Sequence, residues 1–357
     1  MRFLITGICG FVGNAIAKRL LETVENCAIY GIDNLIRQGS ELNRGGLLKS
    51  GVRLFHGDIR QQSDFDAVPQ VDWVIDAAAN PSVLAGVDGR TSSRQLIEHN
   101  LFGTVNMLEY CKRAGAGFIL LSTSRVYSIK PLSELQVEVR GQSFRLKKGV
   151  ALPDGLTESG VTERFSTTAP VSLYGSTKLA SEITALEYGE TFDFPVWINR
   201  CGVLAGAGQF GRPDQGIFSF WINSYLRRRP LKYIGFGGNG YQVRDAIHPR
   251  DLVPVLLKQM SGGPSAEAPK VCNFGGGIAN AISLAELSEW CKDRFGPHEV
   301  ANDPTPRPFD IPWMVMDSTL AHRVWGWKPQ VPIDRLLSEI AVHAGDNPDW
   351  LEISGAI

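Results

Sequence analysis

Apolar runs and helical periodicities alternate along the first two hundred residues of the chain. Runs rich in β-branched and aromatic residues, which are typical of buried strands, occur at 2–6, 28–33, 53–58, 73–79, 118–124 and 196–202. Between them, apolar residues recur every three or four positions, which predicts helices over 11–21, over 99–115 and from 171 onward. Strands that alternate with helices form βαβ units, and strands that are apolar throughout are typical of a sheet covered on both faces. The pattern therefore predicts an α/β fold with a doubly wound parallel sheet of the Rossmann type.

The pattern changes near residue 205, where Gly, Pro, Arg and aromatic residues become frequent. Such loops are poor at making a sheet core and are typical of segments that surround a ligand. The predicted division is a first, dinucleotide-binding domain over 1–205, with a segment near 238–262 returning to it, and a smaller C-terminal substrate-binding domain over 206–237 and 263–357. The stretch 128–170 is long, polar and weakly periodic, so we expect it to be functional or partly disordered.

Composition excludes several classes of protein. The 357 residues are 43% hydrophobic and 20% charged, with a formal net charge of −1, which gives no electrostatic reason to expect a nucleic acid or a membrane as partner. The six cysteines are scattered and form neither a CxxC pair nor a Cys/His cluster, so no metal site is expected. The first residues lack the pattern of a secretion signal, and we expect a cytoplasmic protein.

A glycine-rich loop supplies the first candidate chemistry. The sequence TGICGFVG places Gly7, Gly10 and Gly13 between the first predicted strand and the first predicted helix. A tight turn there lets the backbone approach a pyrophosphate at the helix N-terminus. Asp33 ends the second strand, 20 residues after Gly13, where a carboxylate binds the ribose hydroxyls of NAD and repels a 2′-phosphate. NAD is therefore the predicted cofactor, although the nearby Arg37 keeps NADP open.

The GxxGxxG loop followed by a YxxxK pair, Tyr174 and Lys178, resembles the extended short-chain dehydrogenase/reductase family. The resemblance implies that Tyr174 is the acid/base on a substrate hydroxyl. It also implies that Lys178 holds the nicotinamide ribose and lowers the pKa of the tyrosine. The VY dipeptide at the end of the fifth strand aligns Thr123 with the third catalytic position of that family.

The resemblance extends over nearly the whole chain and implies further contacts. Those to the cofactor are Gly7, Gly10, Phe11, Val12, Gly13, Asp33, Asn34, Arg37, Asp58, Ile59, Ala77, Ala78, Ala79, Asn100, Tyr174, Lys178 and Arg200. Those to a nucleotide-diphosphate sugar are Asn80, Ser124, Gln215, Arg244 and Arg307, with the two arginines on the diphosphate. Val203 departs from the family, since many of its epimerases carry a substrate-binding asparagine there.

Short elements resemble one branch of the family, the CDP-paratose/CDP-tyvelose 2-epimerases. They are DNLIRQGS at 33–40, RPDQG at 212–216 and GNGYQVRDAIH at 238–248. The nucleotide-sugar 4,6-dehydratases carry Asp-Glu directly after the catalytic threonine, whereas Ser124 and Arg125 follow Thr123 here.

The function that the resemblance implies is an NAD-dependent epimerase of a nucleotide-diphosphate sugar, which passes a hydride to tightly bound NAD and returns it to the opposite face. A nucleotide-sugar ketoreductase or dehydrogenase with the same triad remains open. A catalytically inactive dinucleotide-binding scaffold is the third alternative, against which the intact triad argues. Family members commonly form homodimers, and we expect one through helices 99–114 and 173–190.

Overall fold

The computed structural model describes residues 1–87, 89, 92–263 and 268–356. Its strands, in chain order, are β1 (Arg2–Thr6), β2 (Ala28–Asp33), β3 (Arg53–His56), β4 (Trp73–Asp76), β5 (Gly117–Thr123), β6 (Val137–Arg140), β7 (Ser143–Leu146), β8 (Leu156–Thr157), β9 (Gly160–Val161), β10 (Val196–Cys201), β11 (Val203–Leu204), β12 (Leu231–Ile234), β13 (Val243–Ile247), β14 (Val271–Phe274), β15 (Ala281–Ser283), β16 (Val300–Asp303) and β17 (Trp313–Met314). Its α-helices are α1 (Phe11–Thr23), α2 (Glu41–Lys49), α3 (Ser93–Ile97), α4 (Gly103–Ala114), α5 (Ile129–Ser133), α6 (Ser172–Phe192), α7 (Ile217–Leu226), α8 (Val253–Met260), α9 (Leu284–Phe295), α10 (Thr319–Trp325), α11 (Ile333–Asp346) and α12 (Trp350–Ile353).

Seven parallel strands form the main sheet, in the order β14-β10-β5-β4-β1-β2-β3. Phe3 and Ile5 of β1 pack on one face with residues of α1 and α8, whereas Leu4 packs on the other face with residues of α4 and α6. Helices therefore cover both faces, which confirms the predicted doubly wound sheet. Chain order reverses between β1 and β4, and ligands of such sheets bind at the carboxyl ends of the strands beside that point.

The last strand of the main sheet differs from the sequence-based division. The sequence analysis assigned 263–357 to the smaller domain, but β14 pairs with β10 along Ile198–Cys201, so this assignment is wrong for Val271–Phe274. The strand is only four residues long, too short to show a period. Leu252, Val255 and Leu256 pack in the same apolar cluster as α1, as expected of a segment that returns to the first domain.

Strands β11, β13 and β15 form a second sheet, with β17 paired to β13. Helices α7, α9 and α11 pack around an apolar cluster beside it, which includes Trp221, Leu287 and Leu337. The expectation that residues after 205 are poor at making a sheet core is therefore wrong, because strands of two to five residues pack well once three helices cover them.

Residues 128–170, which we call the strap, run across the second sheet. The strap holds α5, the β6–β7 hairpin and the β8–β9 hairpin. Its Val161 exchanges backbone hydrogen bonds with Val315 and Asp317, at 2.8 and 2.9 Å, and Leu156 packs in one cluster with Trp313. The alternative of partial disorder is not seen: the strap has regular elements and buried residues such as Leu132, Leu156 and Phe165, and it ties the end of β5 to the C-terminal part of the chain.

None of the helices in the part of the chain that the structure describes has the length and apolar content needed to cross a membrane.

Candidate active site

The glycine-rich loop between β1 and α1 is packed too closely for side chains. Gly7 has φ +60°, and a Cβ atom there would lie 2.9 Å from Cα of Ala78. A Cβ on Gly13 would lie 2.5 Å from the carbonyl oxygen of Gly7. The N–H groups at the start of the 13-residue helix α1 are thus left accessible to a pyrophosphate, which is the arrangement that a dinucleotide requires.

Asp33 stands beside this loop at the end of β2. Its carboxylate accepts hydrogen bonds from the backbone N–H groups of Cys9, at 2.9 Å, and Leu35, at 2.8 Å. Burial raises the pKa of Asp33, while these hydrogen bonds lower it. Asp33 therefore both fixes the loop and supplies an acceptor at the predicted ribose position.

Arg37 is turned toward another part of the chain. Its Nη2 donates to the carbonyl of Phe210 at 2.9 Å, and its guanidinium lies 5.8 Å from the centre of that ring. Burial, together with the nearby Arg212, lowers the pKa of Arg37 to about 10. A guanidinium engaged in this way is poorly placed to compensate a 2′-phosphate, which favours NAD.

Asp58 and Ile59 follow β3, at the predicted adenine position. Arg60 pairs with Asp58 at 2.6 Å and holds the pKa of that carboxyl well below its usual range. Asn34 donates to the same carboxylate at 3.1 Å. His99, which sequence reasoning missed, is buried near this pair, and among the described residues neither of its ring nitrogens has a hydrogen-bond partner.

Thr123, Tyr174 and Lys178 are brought together by β5 and α6. Thr123 is the last residue of β5, and Tyr174 and Lys178 lie one turn apart near the start of α6. The Tyr174 side chain is buried, and the hydroxyl of Thr123 lies close enough to its phenol to lower the pKa of Tyr174. Gly175 permits this approach, because any side chain there would meet the carbonyl of Arg125.

The electrostatics of the triad depend on burial. Burial raises the pKa of Tyr174 to about 12, whereas the Thr123 hydrogen bond and the positive charge of Arg125 lower it. Lys178 is 2% exposed, and burial lowers its pKa, while Asp76 and Glu182 raise it. Arg125 therefore acts on the phenol, and the effect of Lys178 on the pKa of Tyr174 that the family resemblance implies remains a prediction.

Asp76, at the end of β4, is a second residue that sequence reasoning missed. It is buried, and it accepts hydrogen bonds from the hydroxyls of Thr6, at 3.0 Å, and Thr104, at 3.2 Å. The same Thr6 oxygen accepts from the backbone N–H groups of Ala77 and Ala78, at 3.2 and 3.1 Å. Asp76 thus supplies negative charge near Lys178 and fixes the backbone of the predicted cofactor contacts.

A π turn positions Asn100. Residues Glu98–Phe102 join α3 to α4 with one extra residue, and the N–H of Gly103 donates to the carbonyl of Glu98. Such turns often occur at functional sites. Asn100 bonds both backbone groups of Asn80, at 2.8 and 3.1 Å, and the hydroxyl of Thr177 at 3.2 Å. It therefore connects the loop after β4 to the helix that carries Tyr174.

Arg200 lies below the triad in a buried ion pair. Its Nη2 is 2.7 Å from Glu182, whose carboxylate also accepts from Ser122. Tyr127 receives a hydrogen bond from Arg200 at 3.4 Å and donates to Asn273 at 2.6 Å. Because its guanidinium has these protein partners, the implied contact of Arg200 with the cofactor remains a prediction.

The predicted diphosphate contacts, Arg244 and Arg307, lie near each other. Arg244 pairs with Asp310 at 2.9 Å, and Arg307 lies close enough to lower the pKa of Arg244, as does burial. Arg125, which sequence reasoning noted only as a departure from the dehydratases, faces the same group. Gln215 lies elsewhere, in a turn closed by backbone hydrogen bonds with Arg212 at 2.7 and 3.2 Å.

This geometry agrees with the sequence comparison. The profile of the NAD dependent epimerase/dehydratase family matches residues 3–275. The chain belongs to this family. The predicted family and the predicted NAD dependence of the enzyme are thereby confirmed.

Individual relatives in the family differ in reaction. CDP-paratose 2-epimerase of Salmonella typhi is 27% identical over 301 residues, which cover 82% of this chain and 84% of that protein. UDP-glucuronate 4-epimerase of Thermodesulfobacterium geofontis is 25% identical over 363 residues, 98% of each protein. The fold is shared with the crystal structure of UDP-glucuronic acid 4-epimerase from Bacillus cereus in complex with UDP-glucuronic acid and NAD, at a TM-score of 0.75 and 22% identity, covering 97% of this chain and 99% of that one.

The positions of Asp33 and Arg37 predict how the cofactor is selected. We expect Asp33→Asn to raise the share of NADP in the bound cofactor by about tenfold, because the charge that repels a 2′-phosphate is lost. The measurement is chromatography of the cofactor released from protein equilibrated with equal NAD and NADP. Arg37→Met is the matched control and should leave the ratio within twofold. If the ratio follows Arg37 and is indifferent to Asp33, this assignment is wrong.

Proposed function

We propose that this family member is an epimerase that inverts one carbon of a nucleotide-diphosphate sugar. The observation that carries the proposal is the complete triad of Thr123, Tyr174 and Lys178 followed by Ser124 and Arg125. A dehydratase needs a carboxylate at that strand end to remove water, and the chain has a hydroxyl and a guanidinium there instead.

The residues of the chain handle the proton. Bound NAD would supply the acceptor and donor of the hydride. Tyr174, held by Thr123, takes the proton of the substrate hydroxyl as the carbon is oxidised and returns it after the sugar has turned. Since the same group serves both directions, a second base is not required. Lys178 supports the cofactor end, while Arg244 and Arg307 hold the diphosphate and let the sugar rotate.

A 2-epimerase of the CDP-tyvelose type is the finer proposal. It is supported by DNLIRQGS, RPDQG and GNGYQVRDAIH, and by the Salmonella typhi relative. In the structure, Arg37 of the first element contacts Phe210 beside the second, and Ser82 donates to Asp214 at 2.9 Å. The first of these elements therefore lies beside the second.

A nucleotide-sugar ketoreductase with the same triad is the alternative, and the two differ in their redox balance. For the epimerase, the hydride removed is the hydride returned. Purified protein given CDP-, UDP-, GDP- and dTDP-sugars should convert one of them without added NADH and without solvent deuterium at the inverted carbon. Tyr174→Phe should lose on the order of 10²–10⁴-fold in rate while NAD stays bound. Stoichiometric NADH consumption, measured as the loss of NADH absorbance at about 340 nm, would decide for the reductase.

The hydrogen bond of Thr123 predicts a pH effect. Tyr174 must be deprotonated to accept a proton, and Thr123 lowers its pKa. Thr123→Val should therefore raise that pKa and move the acidic limb of the kcat profile upward by on the order of one pH unit. Thr123→Ser keeps a hydroxyl and should leave the limb in place. An unmoved limb in Thr123→Val would remove Thr123 from this role.

We also propose the homodimer through α4 and α6. Phe102, just before α4, and Ile183 of α6 are 55% and 57% exposed, and apolar helix surface of this kind is typical of dimer interfaces. Apart from Val271–Phe274, the domain division remains a prediction, as does a cytoplasmic location.

The dimer prediction is tested at the centre of this surface. Ile183→Glu should shift the protein from dimer to monomer in light scattering at micromolar concentration, because a charge would be buried in the interface. Val342→Glu on α11 is the matched control, since Val342 is 56% exposed on another helix. A monomeric unmodified protein would contradict the proposal.

A further inference from the structure

Arg125 lies between the proton-transfer group and the arginines of the predicted diphosphate site. Its backbone N–H donates to the Thr123 hydroxyl at 3.2 Å, and both that hydroxyl and the charge of Arg125 lie close enough to Tyr174 to lower the pKa of its phenol. At the other end of the side chain, Nη1 donates to the carbonyl of Phe309 at 3.4 Å. The next residue, Asp310, pairs with Arg244. One side chain therefore spans the space between Tyr174 and Arg244.

The charge of Arg125 is only partly compensated. Burial and the nearby Arg244 lower its pKa to about 10. Asp310 acts on it from a distance but forms its ion pair with Arg244, and among the described residues no carboxylate lies within ion-pair distance of Arg125. A half-buried cation without an ion-pair partner favours a ligand that brings the opposite charge.

The substrate class supplies that charge. Arg125, Arg244 and Arg307 carry three positive charges, and among the described residues only Asp310 forms an ion pair with this group, so a diphosphate would add charge of the sign that is lacking. When a sugar hydroxyl is at Tyr174, the phosphate bonded to the sugar is the nearer of the two phosphates. Arg125 is the arginine of the three whose charge acts on Tyr174.

We propose that Arg125 binds the phosphate that is bonded to the sugar, and so holds the sugar against Tyr174. This inference rests on the proposed function, because it requires a nucleotide-diphosphate substrate. The dehydratases carry a catalytic carboxylate at this position, whereas here the position would bind substrate.

The experiment compares nucleoside diphosphates with monophosphates, so it does not depend on knowing the sugar. Isothermal titration of the NAD-loaded full chain with CDP, CMP, UDP and UMP measures how much affinity the second phosphate adds. Arg125→Gln removes the charge but keeps an amide that can donate to Phe309. We expect it to reduce the preference for diphosphate over monophosphate by about 10- to 100-fold, with monophosphate affinity unchanged. Arg125→Lys should restore part of the preference, and Arg113→Gln, at an exposed ion pair with Asp66, should change nothing.

The outcomes separate the two proposals. If Arg125→Gln keeps the preference while Arg244→Gln loses it, the role of Arg125 is overturned and the diphosphate site stands. If Arg125→Gln weakens diphosphate and monophosphate equally, its effect is structural and the inference is also overturned. If the unmodified protein does not prefer diphosphates at all, the proposed function itself fails.

Discussion

The buried ion pair of Glu182 and Arg200 holds the catalytic helix to the sheet. Glu182 is on α6, one turn beyond Lys178, and Arg200 is on β10 beside β5. Removing one partner of such a pair leaves an unpaired charge in the interior, at a cost of about 3–5 kcal/mol. A single substitution at either residue is therefore strongly destabilising. Ser122 joins the pair from β5 and Tyr127 connects it to Asn273 of β14. The relative position of Thr123 and Tyr174 thus depends on contacts one layer below them.

The two ends of the cleft hold their charges differently. At the cofactor end, Lys178 is buried with Asp76 and Glu182 close by, so its positive charge is balanced within the protein. At the predicted sugar end, Asp310 forms its ion pair with Arg244, and the proposed diphosphate would supply the negative charge that Arg125 and Arg307 lack among the described residues. Tyr174 lies between these regions. This asymmetry would suit an enzyme that keeps its cofactor and exchanges its substrate. The charge of Lys178 is balanced at all times, whereas the charge of Arg125 and Arg307 would be balanced only while a substrate is bound.

The sequence predicts those parts of the site that depend on residues close to one another in the chain. Most strands of the main sheet that precede the strap lie within apolar runs, and the glycines of the 7–13 loop are required at their positions by close backbone packing, so both could be found from the chain alone. Asp76 and Glu182 could not, because a carboxylate at a strand end or on a helix gives no sign of its partner until the fold brings the two together. Arg200 illustrates the same limit, since its family position suggested a cofactor contact while its nearest partner is Glu182. The hairpins of the strap are four residues or fewer per strand, too short to show a period.

The π turn at Glu98–Phe102 has a consequence for how this helix can change in evolution. It accommodates one residue more than a regular α-helix would need between α3 and α4. Deleting a single residue there would restore regular α-helical geometry and leave the flanking segments close to their present register, but it would remove the wide turn that presents Asn100. Asn100 would then leave Asn80 and Thr177, and the loop after β4 would lose its connection to α6. In an alignment of related chains, a gap of one residue at this point would therefore indicate that the contacts of Asn100 are altered, even though the length of the helix is nearly unchanged.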